Sequence, residues 1–119
     1  MITEEEYRNA AISQYKQGNY EECVNICNGA IKNNILSGSI YNVKSLAAMS
    51  LKQYDEALFA IQQAVLLSPQ NETYRKNKGK IETIVNRNKK EFDKELPDED
   101  IESPKEKIRQ QKYRAKEEK

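Results

Sequence analysis

Two cysteines, Cys23 and Cys27, are the residues whose type and spacing come closest to a chemical site. They are four residues apart, so they share one face if this segment is helical. A metal site would need further ligands, but the chain contains no histidine and no third cysteine. A disulfide between consecutive turns of one helix has poor geometry. We therefore expect two buried free thiols, which are typical of a reducing intracellular compartment such as the cytoplasm.

No other part of the chain pairs a nucleophile with a base. Without histidine, neither a Ser–His nor a Cys–His set is possible, and no Gly-rich phosphate loop is present. The carboxylate runs Glu4–Glu6 and Asp98–Asp100 are short, and they are typical of a helix start and a solvated linker. The sequence therefore predicts a protein that is not an enzyme and that uses no cofactor or metal.

Charge is distributed unevenly along the 119 residues, although the net charge is only +1. The charged fraction is 33% and the hydrophobic fraction 37%, against roughly 25% and 45–50% in ordinary domains. Apolar residues are concentrated before Val85, whereas residues 103–119 hold seven basic and three acidic side chains. We expect a domain over residues 1–95 and a charged extension over 96–119, either flexible or a lone helix. Neither a membrane span nor a signal peptide is expected.

An internal repeat with a period of 34 residues organises the expected domain. The residues paired by this offset match in size or type: Tyr7 with Tyr41, Ala11 with Ser45, Tyr15 with Met49, Tyr20 with Tyr54, Glu22 with Glu56, Cys23 with Ala57, Cys27 with Ile61 and Ala30 with Ala64. Each repeat contains two runs with apolar or small residues at i, i+3, i+4 and i+7 spacing, which predicts two antiparallel helices. The small residues would let the paired helix backbones approach closely.

Capping signals mark the first two predicted helices. Thr3 followed by Glu6 fits a capping box at the start of the first helix. Gly18 is expected to end that helix. Asn19 is expected to cap the second helix, with Glu22 as its reciprocal partner.

Later boundaries depend on glycine and proline. The Gly38–Ser39 pair is expected to separate the two repeats. The Ser68–Pro69 pair should end the fourth helix, because the residue before proline is disfavoured in the α region. A fifth helix is predicted from about residue 72 to 95, with a thin apolar face that includes Ile81 and Val85. We expect this helix to cover the exposed face of the second repeat.

The repeat resembles that of the tetratricopeptide-repeat family. The matching residues are Tyr7, Ala10, Ala11, Gly18, Tyr20, Cys23, Cys27 and Ala30 in repeat 1, and Tyr41, Ser45, Tyr54, Ala57, Ile61, Ala64 and Pro69 in repeat 2. The sequence departs from the family pattern at Ile35, where a proline is usual, and at Lys44, where a leucine is usual. The resemblance implies an all-α fold of helix pairs stacked as a short right-handed superhelix. Repeat 1 would span about 4–37, repeat 2 about 38–71 and a capping helix about 72–95.

The same resemblance implies a protein-interaction adaptor, scaffold or assembly subunit. In this family the first helix of each repeat lines a concave groove, which binds a peptide or helix of a partner protein. The groove-facing positions then correspond to Glu5, Arg8, Asn9, Ile12, Lys16, Asn42, Val43, Leu46, Met49, Ser50, Lys76, Asn77 and Lys80. The candidate binding residues among them are Arg8, Asn9, Ile12, Asn42, Leu46, Met49, Lys76 and Lys80. Alternatively, Leu46 and Met49 simply pack between helices.

Two other functions stay open at this point. Co-chaperones of the family bind the acidic tail of a chaperone through a clamp of Lys, Asn, Asn, Lys and Arg. These clamp positions correspond to Arg8, Ile12, Val43, Thr73 and Asn77, of which only Arg8 keeps the required chemistry. A nucleic-acid-associated role would use the basic residues 103–119, and its affinity would fall steeply with salt.

Overall fold

The computed structural model describes residues 1–95, with side chains described through residue 88. It contains five helices, α1 (Glu4–Lys16), α2 (Tyr20–Lys32), α3 (Gly38–Ser50), α4 (Tyr54–Leu67) and α5 (Glu72–Glu95). There is no strand in this part of the chain. α1 packs on α2 and α3 packs on α4, while α3 also contacts both helices of the first pair. The predicted all-α fold of repeated helix pairs is therefore confirmed. The predicted extension over 96–119 and its alternative nucleic-acid role lie outside the described residues.

The start of α1 follows the prediction, whereas the start of α2 does not. The hydroxyl of Thr3 accepts from the Glu6 backbone N–H at 3.1 Å, and the Glu6 carboxylate accepts from the Thr3 N–H at 2.9 Å. Asn19 makes no side-chain cap hydrogen bond. Its amide instead donates to Gln14 Oε1 at 2.8 Å, back across the turn. The predicted Asn19 side-chain cap is therefore wrong, and the hydrogen bond from Nδ2 to Gln14 instead ties the Asn19 amide to α1.

The Gly38–Ser39 pair, expected to separate the repeats, instead begins α3. Ser37 is the N-cap, and its Oγ accepts from the backbone N–H of Ile40 at 3.2 Å. A Cβ atom at position 38 would lie 2.9 Å from both Ser68 Oγ and Tyr74 Cε2. The start of α3 thus meets the end of α4 and the start of α5 so closely that a Cβ atom at position 38 would require the Ser68 and Tyr74 side chains to shift.

Two adjoining clusters form the core. The first lies where α1 and α2 meet the start of α3, and the second lies among α3, α4 and α5. Ile31 of α2 packs against both. Four of the eight pairs that the sequence places 34 residues apart are fully buried at both positions: Ala11 and Ser45, Cys23 and Ala57, Cys27 and Ile61, Ala30 and Ala64. The small residues therefore sit at the helix crossings, as predicted.

α5 covers the second cluster with a thin apolar face. Ile81 and Val85 are buried in that cluster, and Tyr74 packs against it. α4 ends at Leu67, just before the Ser68–Pro69 pair, as predicted. The contacts divide the chain into a compact part, Met1–Val85, and a second part that begins at Asn86. Of the second part, the structure describes the last turns of α5, through residue 95.

Candidate functional site

The two cysteines are free and buried, as predicted. A hydrogen bond with Cys23, together with burial, raises the pKa of the Cys27 thiol. The same hydrogen bond lowers the pKa of the Cys23 thiol, but both side chains are fully buried, so neither is accessible as a nucleophile or a metal ligand. Among the residues that the structure describes, no group of three His, Cys, Asp or Glu side chains is placed to hold a metal ion. The cysteines therefore serve as small core residues of the first helix pair.

The predicted groove residues lie on α1, α3 and α5 at equivalent positions along the repeat. At the 34-residue spacing, one level consists of Arg8, Asn42 and Lys76, and the next of Ile12, Leu46 and Lys80. All six are half-buried or exposed. By this spacing, each helix contributes one side chain to each level of the predicted groove.

Asn42 joins α3 to α5 within this groove. Its Oδ1 accepts from Asn77 Nδ2 at 2.9 Å, and its backbone carbonyl accepts from Ser45 Oγ at 2.7 Å. Asn77 is half-buried, so this amide pair is partly shielded from water. The hydrogen bond links α3 to α5 beside Lys76, the residue before Asn77.

Arg8, at the α1 end of the same level, is held by a local network. Its guanidinium lies 3.1 Å from Glu4 Oε2, one turn earlier. The same carboxylate oxygen accepts from Ser37 Oγ at 2.8 Å. Such a partly exposed ion pair contributes about 0–1 kcal/mol to stability, so its main effect is to orient Arg8. The neighbouring candidate Asn9 is exposed.

The apolar candidates differ in what they contact. Ile12 packs against the first core cluster and Met49 against the second, so both contribute to the packing between helices. Leu46 is half-buried and belongs to neither cluster. Val43, expected in the groove, is instead buried in the first cluster. It lies one residue beyond Asn42, and this rotation of about 100° turns it towards the first helix pair.

The α5 side of the groove is basic. Lys76 and Lys80 are exposed, and neither is ion-paired with any residue in the described part of the chain. Residues 72–88 contain five basic and two acidic side chains. This side therefore favours a partner that carries carboxylates.

A second surface, which the sequence analysis did not single out, lies between α1 and α2. It is a cleft of about 510 Å³ whose apolar lining includes Ile2, Tyr7, Ala10 and Ile26, with Gly29 in its wall. A Cβ atom at position 29 would lie 3.6 Å from the Tyr7 ring. A glycine inside a helix costs about 0.5–1 kcal/mol relative to alanine. Gly29 was therefore the one sequence signal that could have indicated this cleft.

A family model of the tetratricopeptide repeat matches residues 38–71, the span from the first residue of α3 to the residue before α5. None of the curated proteins matches the chain at a significant level. Within the described residues, no helix combines the length and the apolar character needed to cross a membrane.

Proposed function

Because residues 38–71 match the tetratricopeptide repeat and the helices pack in repeated pairs, we propose that the protein is a non-enzymatic adaptor or assembly subunit. It binds a peptide or helix of a partner protein in the groove formed by α1, α3 and α5. Repeats of this family are protein-interaction modules, which supports a protein partner. The proposal also assigns the protein to a reducing compartment such as the cytoplasm, and the two free buried thiols support this assignment.

Leu46 is the observation that carries the proposal. It is a half-buried leucine on α3, the middle helix of the proposed groove, and neither core cluster accounts for it. Arg8 lies at the same side of the repeat on α1, and Lys76 and Lys80 lie on α5. An apolar contact flanked by positive charges selects a peptide with an aliphatic or aromatic side chain and nearby carboxylates.

The chaperone-tail clamp gains no support from these side chains. Two of its positions hold Ile12 and Val43, which pack with the first core cluster. A carboxylate placed there would lose its charge-assisted hydrogen bonds and meet apolar groups. At a third position, the amide of Asn77 is hydrogen-bonded to Asn42. The acidic groups of the proposed partner are therefore expected near Lys76 and Lys80 on α5.

A Leu46→Asp substitution tests the groove. The partner is first identified by capture with the full chain and mass spectrometry, and its affinity is then measured by calorimetry. We expect at least tenfold weaker binding, about 1.4 kcal/mol, because the new carboxylate would be buried against the partner's apolar side chain. Met49 is left unchanged because it packs against the core. A folded Leu46→Asp variant that binds as tightly as the original protein would contradict the proposal.

Two controls sharpen this measurement. Gln62→Asp adds the same charge to an exposed position of α4, outside the groove, and should leave the affinity unchanged. Replacing Lys76 and Lys80 together by glutamate should weaken binding and reduce its dependence on salt. The matched charge reversal Lys32→Glu, on the exposed last turn of α2, should do neither.

A further inference from the structure

Two residues that line the cleft between α1 and α2 have buried equivalents in the second helix pair. The residues 34 positions after Tyr7 and Ile26 are Tyr41 and Ala60. Both are buried in the second core cluster, against which Ile31 of α2 also packs. In the first pair, by contrast, Tyr7 and Ile26 are only partly buried and line an open cleft.

The lining of the cleft combines an apolar floor with an acidic rim. Ile2 is 53% exposed and Ala10 is also exposed, so apolar surface faces the solvent here. Glu6 and Glu22 also line the cleft, and none of the lining residues is basic. Glu6 makes the capping-box hydrogen bond to Thr3, which fixes its carboxylate at the rim.

The shape of the cleft is set by two local features. Gly29 lacks a side chain, so the wall formed by α2 stays open beside Tyr7. The Tyr7 hydroxyl accepts from Asn33 Nδ2 at 2.7 Å, which holds the ring against α2. The volume of about 510 Å³ falls within the range of ordinary binding pockets, roughly 300–1,000 Å³. The cleft is therefore preformed and can accept aliphatic side chains without rearrangement of α1 or α2.

We propose that this cleft is a second binding site, which takes an amphipathic helix of a partner protein. The partner helix presents an apolar stripe to Ile2, Tyr7, Ala10 and Ile26. Lysine or arginine residues beside that stripe pair with Glu6 and Glu22. The site differs from the groove in its helices and in its charge. The groove is basic on its α5 side, whereas this cleft has an acidic rim and therefore selects a basic helix. One chain could then connect two partners of opposite charge.

The test titrates the full isotope-labelled chain with synthetic helical peptides and follows amide chemical shifts by NMR. Two peptides of about 16 residues share one leucine stripe, which is flanked by lysines in one and by glutamates in the other. We expect saturable shifts at Tyr7, Ala10, Ile26 and Gly29 with the lysine peptide, and at least tenfold weaker binding of the glutamate peptide. Shifts confined to the groove around Leu46, or equal affinity for the two peptides, would overturn the proposal.

A pair of lysine variants shows whether the cleft itself is responsible. Ala10→Lys introduces the residue that stands at the equivalent position 44 and fills the cleft from an exposed helical site. It should abolish binding of the lysine peptide. Asn28→Lys adds the same side chain to an exposed position of α2 outside the cleft lining, and should leave binding unchanged. Equal binding by both variants would refute the site.

Two further measurements separate the alternative explanations. Leu46→Asp should bind the lysine peptide normally, so the cleft and the groove can fail independently. Sedimentation of the full chain tests for a second copy as the occupant. If the chain self-associates and Ala10→Lys makes it monomeric, the cleft is a self-association surface and the proposal of a separate basic helix is wrong.

Discussion

The two helix pairs share a core but present different outer surfaces. Equivalent positions that are fully buried hold small or aliphatic residues in both pairs, as at Cys27 and Ile61. The outer face of α2 carries polar residues where the outer face of α4 carries exposed apolar ones: Asn25 against Phe59, Lys32 against Leu66 and Asn33 against Leu67. The 34-residue spacing therefore constrains packing and leaves the solvent-facing positions free to differ. Functional differences between the pairs must lie at these free positions.

The turns within the two helix pairs also share a backbone course but differ in residue type. Gly18, between α1 and α2, has a φ of 82°, and Lys52, between α3 and α4, has a φ of 62°. The two positions are 34 residues apart, so the backbone makes the same left-handed turn with two different residues. A residue with a Cβ atom has a higher conformational energy there than glycine does. The second turn is thus more strained than the first, although its course is the same.

The largest expected effect comes from removing the cover of the second pair. A chain that ends at Lys78 loses Ile81 and Val85, whose burial stabilises the fold by about 1.5–3 kcal/mol each. We expect aggregation or loss of cooperative unfolding, measured by circular dichroism and size-exclusion chromatography. A chain that ends at Glu95 keeps every residue of the second cluster and serves as the control. A soluble, cooperatively unfolding 1–78 fragment would show that the α3–α4 pair does not need α5.

Enlarging a residue at the helix crossing should harm the two pairs equally. Ala57→Leu in α4 and Cys23→Leu in α2 each overpack a fully buried position. We expect each to lower the free energy of unfolding by about 1–3 kcal/mol, measured by urea denaturation. If one variant is destabilised and the other unfolds like the original protein, the two crossings are not equivalent.

The turns should respond in opposite directions to exchange of their residue types. Gly18→Ala should destabilise by about 1 kcal/mol, because alanine is disfavoured in the left-handed region. Lys52→Gly should raise the melting temperature slightly, since the relief of strain exceeds the added entropy of the unfolded chain. Thermal unfolding of both variants measures the difference. A stabilising Gly18→Ala change would mean that the first turn does not need its positive φ.

The outer faces should tolerate exchange with little effect on stability. Leu66 is 72% exposed, and Leu66→Lys introduces the residue of the equivalent position 32. We expect the free energy of unfolding to change by less than about 0.5 kcal/mol, while binding of a hydrophobic dye decreases. The reverse change, Lys32→Leu, should increase dye binding. A large loss of stability in Leu66→Lys would show that this leucine packs against the fold.

The helices and their buried faces could be predicted from the sequence because both follow from spacing. The capping box at Thr3 also depends only on residues three apart, and it is present. Asn19 and Gly38 were assigned wrongly because their roles depend on Gln14 and on the Ser68–Tyr74 junction. Local sequence does not specify such contacts between elements.

The candidate site was harder to predict than the fold. Helix phase predicted that Val43 lies in the groove beside Asn42. The rotation of about 100° from one residue to the next instead buries Val43 in the first core cluster. Helix periodicity also could not separate Leu46 from Met49, because the two residues are three apart on α3 and share one face of the helix. Only the structure shows that Met49 packs against a core cluster and Leu46 does not. The cleft between α1 and α2 depends on the absence of a side chain at Gly29. The spacing of apolar residues does not indicate such an open space.

The close approach at Gly38 restricts how this chain can change during evolution. A single step to alanine places a methyl group 2.9 Å from the Tyr74 ring and from Ser68 Oγ, so both side chains must shift to admit it. A smaller side chain at position 74 would remove the contact with the ring beforehand. The order of the two steps then matters, which is epistasis with a geometric cause. Descendants that carry a larger residue at 38 should therefore also carry a smaller one at 74.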